Sequence, residues 1–229
     1  MKKNLRYLLK DCKNVLDIGA NIGDVSKEIF YLNKNINIIS FEPGLFSRII
    51  LRLRVYINNL YNVNVLPFAL SNKIGYSFLY VPEKRKNVLG IGLAHLETKN
   101  ENFTKRNFNI LKEYVHVTTI DQVVNDLKLN SVDFIKIDIE GFELNALKGG
   151  KDVLKKFKPT LCLEIDDKLL KRNDDKAIDI YNYLKKFGYK SYKIINKDFK
   201  EVDLGTNGDQ VFFITKENFN NFLENKISY

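Results

Sequence analysis

A chain of 229 residues, 45% hydrophobic and 12% aromatic, is long enough to bury a proper core and is predicted to form one domain over 1–229. No apolar run approaches the ~20 residues of a membrane span, no signal-peptide pattern opens the chain, and Cys12 and Cys162 are too few and too far apart for a disulfide framework or zinc motif, so a cytoplasmic location is expected. The net charge of +9 is spread along the whole chain among abundant asparagines, with no clustered basic and aromatic groove, so nucleic acid is not the expected partner.

Leu5, Leu8 and Leu9 have the spacing of a short amphipathic helix, read as an N-terminal cap over 1–12. Val15 to Ile18 then suit a buried strand that runs into Gly19-Ala20-Asn21-Ile22-Gly23-Asp24. Gly19 and Gly23 let backbone approach a ligand closely, and a helical pattern starts at Val25 with its N-terminus facing the same place. A dinucleotide site wants G-x-G-x-x-G. Here Gly19, Asn21 and Gly23 spell G-x-N-x-G, and Asp24 stands where the third glycine belongs. A negative charge there repels a pyrophosphate, whereas S-adenosylmethionine carries no phosphate and tolerates acids such as Asp17 and Asp24. The loop therefore favours S-adenosylmethionine over NAD.

Asn35 to Phe41 form a second strand ending at Glu42-Pro43. Glu42 follows Gly23 by 19 residues, close to the ~20-residue offset at which an acid meets ribose hydroxyls. Leu45 to Ile57 read as a helix with Arg48, Arg52 and Arg54 solvated on its wet side, and Asn62 to Phe68 as a third strand leading to Ala69, where an adenine would lie. Tyr76 to Val81 begin a hairpin-like excursion. Residues 82–113 are expected to be an irregular lid or acceptor-binding insertion carrying His95.

Tyr114 to Thr118 return to strand, and Thr119 caps the next helix. Ser131 to Asp138 form the fourth core strand, followed by Ile139-Glu140-Gly141-Phe142-Glu143 and a helix stopped at Gly149-Gly150. Lys158 to Ile165 supply a fifth strand, Ala177 to Phe187 a helix, and Tyr189 to Ile195 and Gln210 to Thr215 the last strands; 216–229 is read as a tail. Alternating strands and helices predict an α/β, doubly wound, mostly parallel sheet with an antiparallel edge strand.

The ordered set Leu16–Asp24, Phe41-Glu42-Pro43, Ala69-Leu70-Ser71, Thr119-Ile120-Asp121, Ile135–Glu143 and Leu147–Gly150 resembles the FkbM family of S-adenosylmethionine-dependent methyltransferases, over roughly 15–165. The resemblance implies a class I methyltransferase (Rossmann-like) fold and methyl transfer to hydroxyl oxygens, commonly on sugars of glycans. It places Gly19, Asn21 and Gly23 on the methionine part, Glu42 on the ribose and the backbone at Ala69 on the adenine. Asp138-Ile139-Glu140-Gly141 replaces the Asn/Asp-Pro-Pro-Tyr box of amino-directed enzymes, which argues against a nitrogen acceptor.

Displacement at an activated methyl leaves the protein to position the acceptor and manage one proton. The candidate bases are Asp138, Glu140, Glu143, Glu164, His95 and His116, with Asp138, Glu140 and His95 taken as the catalytic set. Asp17, Gly19, Asn21, Gly23, Glu42, Pro43, Ala69 and Asp138 form the expected cofactor set. If Asp138, Glu140 and Glu164 converge at the strand ends, they form a site for Mg²⁺ or another divalent cation. Lys136 shares a strand face with Asp138 and is read as an ordinary salt-bridge partner. The expected function is O-methyl transfer to a sugar hydroxyl in a glycan or glycoconjugate precursor. The alternatives are a non-catalytic cofactor-binding module with a basic interaction surface and an NAD-dependent oxidoreductase.

Overall fold

The computed structural model describes residues 2–85, 88–97, 110–196, 198–203 and 205–227. In chain order, α1 (Lys2–Leu8) leads to β1 (Asn14–Ile18), α2 (Asp24–Leu32), β2 (Asn37–Phe41), α3 (Leu45–Ile57) and β3 (Val63–Leu66). The chain then leaves through β4 (Phe68–Leu70), β5 (Gly75–Arg85), β6 (Val88–Leu89), β7 (His95–Leu96) and β8 (Ile110–Thr118). It returns as α4 (Ile120–Asp126), β9 (Phe134–Ile137), α5 (Glu143–Lys148), α6 (Lys151–Phe157), β10 (Thr160–Ile165) and α7 (Asp167–Leu170). The last elements are α8 (Ala177–Lys185), β11 (Tyr189–Ile195), β12 (Asp198–Glu201), β13 (Gly208–Thr215) and α9 (Lys216–Ile227).

The main sheet runs β12-β11-β13-β10-β9-β1-β2-β3. From β10 to β3 every pairing is parallel. β13 enters antiparallel between β10 and β11, so it lies one place in from β11 and the edge belongs to the short β12. Both faces are covered, which is why these strands read as continuous apolar runs. Leu16, Ile135, Leu161 and Phe213 pack on one face with α4, α5, α6 and α8, while Val15, Phe134, Cys162 and Phe212 pack on the other with α1 and α2.

A second sheet, β4-β8-β5-β6 with β7 on β5, grows from the end of β3. The expected third strand is broken at Pro67, which has no N–H for the ladder, and the chain changes sheet there. β5 and β8 extend into the 82–113 segment from both sides and pair from Gly75↔Val117 to Pro82↔Ile110. Of the expected lid, 86, 87 and 98–109 lie outside the described residues, while Gly90 to Leu96 cross over the end of the main sheet. The stretch after 216 is helical: α9 packs on α1, with Tyr7 and Phe222 edge to face at 6.3 Å and Asn225 Nδ2 donating to Asp11. Among the described residues no helix is long and apolar enough to cross a membrane.

Candidate active site

The loop after β1 is fixed by backbone contacts. Gly19, Asn21 and Gly23 all have positive φ (77°, 49° and 88°), tolerable for glycine and asparagine. A Cβ on Gly19 would lie 1.9 Å from the Asp138 carbonyl oxygen, so only glycine lets this turn close onto the end of β9. The Gly19 and Ala20 N–H groups donate to the Phe41 carbonyl, tying the turn to β2 as well.

Glu42 holds the other side. One carboxylate oxygen accepts from the Asn21 N–H and the other from the Gly44 N–H, both at 2.8 Å, which locks the loop to the start of α3. Burial pushes its carboxyl up to about 7, opposed by those two donors and by Arg48. Each oxygen keeps a free lone pair, and both belong to a residue lining an open cavity at the end of the sheet. Gly19, Asn21, Glu42, Pro43, Ala69, Asp138, Glu140 and His95 all line it, with Phe41, Phe68, Leu70, Leu79 and Leu96 as apolar wall.

Two of the expected cofactor contacts lie elsewhere. Asp17 is fully buried beneath the loop, accepting from Ser26 Oγ and lying 3.8 Å from Lys136 Nζ. Gly23 sits behind the loop, where a Cβ would strike Leu51 at 2.3 Å. Asp24 pairs with Arg54 at 2.7 Å. Its charge is thus answered, and the missing third glycine, rather than Asp24, remains the argument against a dinucleotide. The arginines of α3 likewise do more than meet solvent: Arg48 donates to the Glu42 and Pro43 carbonyls and Arg54 to that of Ile22.

Asp138 lies where β9 ends. Lys136 Nζ is 3.1 Å from its carboxylate and 3.2 Å from the Gly19 carbonyl. Burial works to raise the Asp138 carboxyl, but the Lys136 ammonium and hydrogen bonds from Glu164 and Lys136 outweigh it and hold it below the usual range. Glu164 is pushed up, first by its hydrogen bond to Asp138, then by burial and by the neighbouring carboxylates. The pair therefore shares one proton, held on Glu164. Asp138 also lines a second cavity, on the α1/α2 face of the sheet, walled by Val25, Glu28, Ile29, Phe134, Lys136, Cys162, Glu164 and Gln210. Among the described residues it alone lines both cavities.

The turn after Asp138 separates its two glutamates. Glu140, with φ +57°, is aimed at Arg172, whose Nη1 lies 3.4 Å from its carboxylate and donates to its carbonyl at 2.8 Å. Glu143 turns inward instead and accepts from the Ile139 and Gly141 N–H groups, with burial pushing its carboxyl up to about 7. Gly141 is held by Asn173, and a Cβ on it would strike the Leu169 carbonyl at 2.3 Å. Arg172 and Asn173 carry no local signal; only the packing of the segment after α7 against this turn reveals them.

His95 is buried beneath Tyr80, with Nδ1 3.1 Å from the Leu93 carbonyl. That acceptor assigns the proton to Nδ1. Burial, then the Arg172 charge, holds its pKa down, so the ring is neutral, and Nε2 has no hydrogen-bond partner among the described residues. His116 packs between Phe68 and Tyr76, away from both cavities.

Among the described residues no three His, Cys, Asp or Glu side chains are grouped to hold a metal ion. Asp138, Glu140 and Glu164 do not converge as a ligand set, because Glu140 is drawn to Arg172 and Asp138 to Lys136.

A sheet in this order, with a cavity at the carboxyl ends of its central strands and an acid at the end of the second, defines the class I methyltransferase fold. The family model described as "Methyltransferase FkbM domain" matches residues 17–191. The chain belongs to the FkbM methyltransferase family. It is 28% identical over 158 residues to methyltransferase sdnD of Sordaria araneosa, covering 59% of each chain. The crystal structure of a methyltransferase FkbM from Methylobacillus flagellatus KT superposes with a TM-score of 0.54 at 18% identity, covering 89% of this chain and 44% of that one. The chain thus spans about half the length of these relatives.

Proposed function

We propose that this chain is an S-adenosylmethionine-dependent O-methyltransferase acting on a sugar hydroxyl of a glycan or glycoconjugate precursor. The observation that carries the cofactor is the set of hydrogen-bond acceptors at the first cavity. Asn21 Oδ1 and His95 Nε2 are both buried and unpartnered among the described residues, and the Glu42 carboxylate has lone pairs to spare. Glu42 would accept from the two ribose hydroxyls, the apolar wall at Phe68, Ala69 and Leu70 would take the adenine, and Gly19 and Asn21 the methionine end. When bound, S-adenosylmethionine supplies an electrophilic methyl carbon.

The acceptor enters from the second cavity. Glu28, Glu164 and Gln210 offer hydrogen bonds above a floor of Val25, Ile29 and Phe134, a mixture that suits a ring with hydroxyls on its rim and C–H groups on its faces. Asp138, ionised and held by Lys136, would take the proton of the hydroxyl as that oxygen gains the methyl and the methyl–sulfonium bond breaks. Glu164 orients the same carboxylate by donating to it, and in doing so lowers its basicity. A neutral hydroxyl needs this help, whereas a protein built for nitrogen acceptors needs only to orient a lone pair.

Calorimetric titration with S-adenosylhomocysteine tests the cofactor assignment. Glu42→Gln keeps the side chain's shape but removes its charge, and a lost charge-assisted contact is expected to weaken binding roughly 10- to 100-fold. Unchanged affinity would remove Glu42 from the site. Hydroxyls donate better to a carboxylate than to its acid, so wild-type affinity should rise as pH climbs through about 7. Folding of the free chain has the opposite sign: the stability owed to protonated Glu42 is full below its unfolded value and is lost as pH rises through about 7. For the acceptor, labelled methyl from S-adenosylmethionine is offered to a panel of oligosaccharides. Label that stays in sugar after alkali, as an ether does, supports the reading; label released by alkali or found on amino groups overturns it.

A further inference from the structure

Helix α3 is built inside out. Its inward positions are Ser47, Leu51 and the arginines Arg48 and Arg54, which bond backbone carbonyls, while its outward face carries Leu45, Phe46, Ile49, Ile50, Leu53 and Ile57. An exposed helix face normally carries the polar residues. Here Leu53 is 54% exposed, Ile57 75% and Tyr56 85%. The strip runs the length of a 13-residue helix, about 20 Å, and contiguous apolar surface of this kind marks an interaction site. Past its end Tyr61 and Tyr31, both largely exposed, stand edge-on to Phe30 at 5.3 and 5.4 Å, with Lys34 over the same ring at 5.9 Å.

We infer that this face docks the protein on an anionic lipid surface. The charge decides the occupant. α3 has no acidic residue, and of its three arginines Arg48 and Arg54 turn inward; Arg52 is exposed at the border of the strip, one guanidinium nitrogen 3.5 Å from the Val65 carbonyl, and Lys34 is exposed past the end of the helix. In a two-fold pairing of chains the same patch meets itself, so Arg52 of each copy would be shut against an apolar face with no α3 carboxylate to answer it. A layer of acidic headgroups supplies that countercharge, the aliphatic strip enters the acyl boundary, and the tyrosines take the interfacial level, as in amphipathic helices that lie in a membrane plane. α3 begins three residues after Glu42, so docking there holds the candidate active site beside the bilayer, within reach of a lipid-linked acceptor. The inference stands independently of the acceptor's identity.

The full chain is floated with vesicles of phosphatidylcholine alone and with added phosphatidylglycerol, at low and high salt. Binding is expected only with phosphatidylglycerol, weakened by salt, reduced roughly fivefold by Arg52→Ala and abolished by Ile49→Glu with Leu53→Glu. Those side chains are exposed, and an unchanged circular dichroism melt together with unchanged S-adenosylhomocysteine binding will show that the variants are folded. No partition onto phosphatidylglycerol vesicles at low salt overturns the inference. So does partition that survives the double substitution, which would be the work of the overall +9 charge. A dimer by light scattering that the same double substitution splits also overturns it, by giving the face to a second copy.

Discussion

Asp138→Asn is expected to lower methyl transfer by roughly 10²- to 10⁴-fold, the usual worth of a positioned general base, while S-adenosylhomocysteine affinity changes only a few-fold. The split follows from position. Asp138 stands between the two cavities and, among the described residues, is the one side chain that lines both, so the amide can still fill the cofactor wall but cannot accept the hydroxyl's proton. The pH profile gives a second readout. Glu164 keeps its proton above the usual carboxylate range because of Asp138, burial and the nearby carboxylates, and its hydrogen bond helps to hold Asp138 down. As pH rises and Glu164 ionises, Asp138 loses that donor and becomes a stronger base, so the rate should climb through one inflection belonging to the pair. Glu164→Gln keeps a donor at every pH and should flatten the climb. An Asp138→Asn enzyme within about threefold of the wild-type rate would move the proton to His95, which lines the first cavity and whose Nε2 has no hydrogen-bond partner among the described residues.

The parts of this site legible in the sequence are those made by neighbours in the chain. The turn from Gly19 to Gly23 and the acid at Glu42 announce themselves because a tight turn needs glycine and an acid that ends an apolar strand stands at the offset where ribose is met. Continuous apolar runs gave away the main strands in the same way. What stays hidden depends on contacts between distant segments. Glu140 and Glu143 look equivalent in Ile139-Glu140-Gly141-Phe142-Glu143, and only the positive φ of Glu140 and Gly141 turns one to Arg172 and the other to backbone donors. The arginines of α3 read as solvated because helical spacing counts their positions and not the carbonyls of Glu42, Pro43 and Ile22 that they reach. Asp17 reads as a ligand contact because it precedes the loop, yet strand alternation points it into the protein, toward Ser26 and Lys136.

That last arrangement makes Lys136→Met the most damaging single substitution for folding. Lys136 reads as one partner of an ordinary salt bridge, but its ammonium serves Asp138 at 3.1 Å, Asp17 at 3.8 Å and the Gly19 carbonyl at 3.2 Å. Burial alone would lower its pKa; the Asp17 and Asp138 charges prevail and raise it, so it stays charged. Asp17 is fully buried, its Oδ1 has no hydrogen-bond partner among the described residues, and burial already raises its carboxyl against the pull of Lys136 and Ser26. Removing the cation leaves a buried carboxylate uncompensated, which costs about 3–5 kcal/mol, measurable by urea unfolding near neutral pH. The deficit should shrink in acid: without Lys136 the folded Asp17 pKa rises further, so the variant keeps the protonated form's stability at low pH and loses it as pH rises through that value. Adding Asp17→Asn should recover most of the loss, since the amide needs no counterion. A loss below about 1 kcal/mol, or one that Asp17→Asn does not relieve, would mean that the buried carboxylate is already neutral beside Lys136. The Gly19 carbonyl loses its anchor in the same variant, so weaker S-adenosylhomocysteine binding should accompany the lost stability, tying the stability of the sheet to the shape of the cofactor loop.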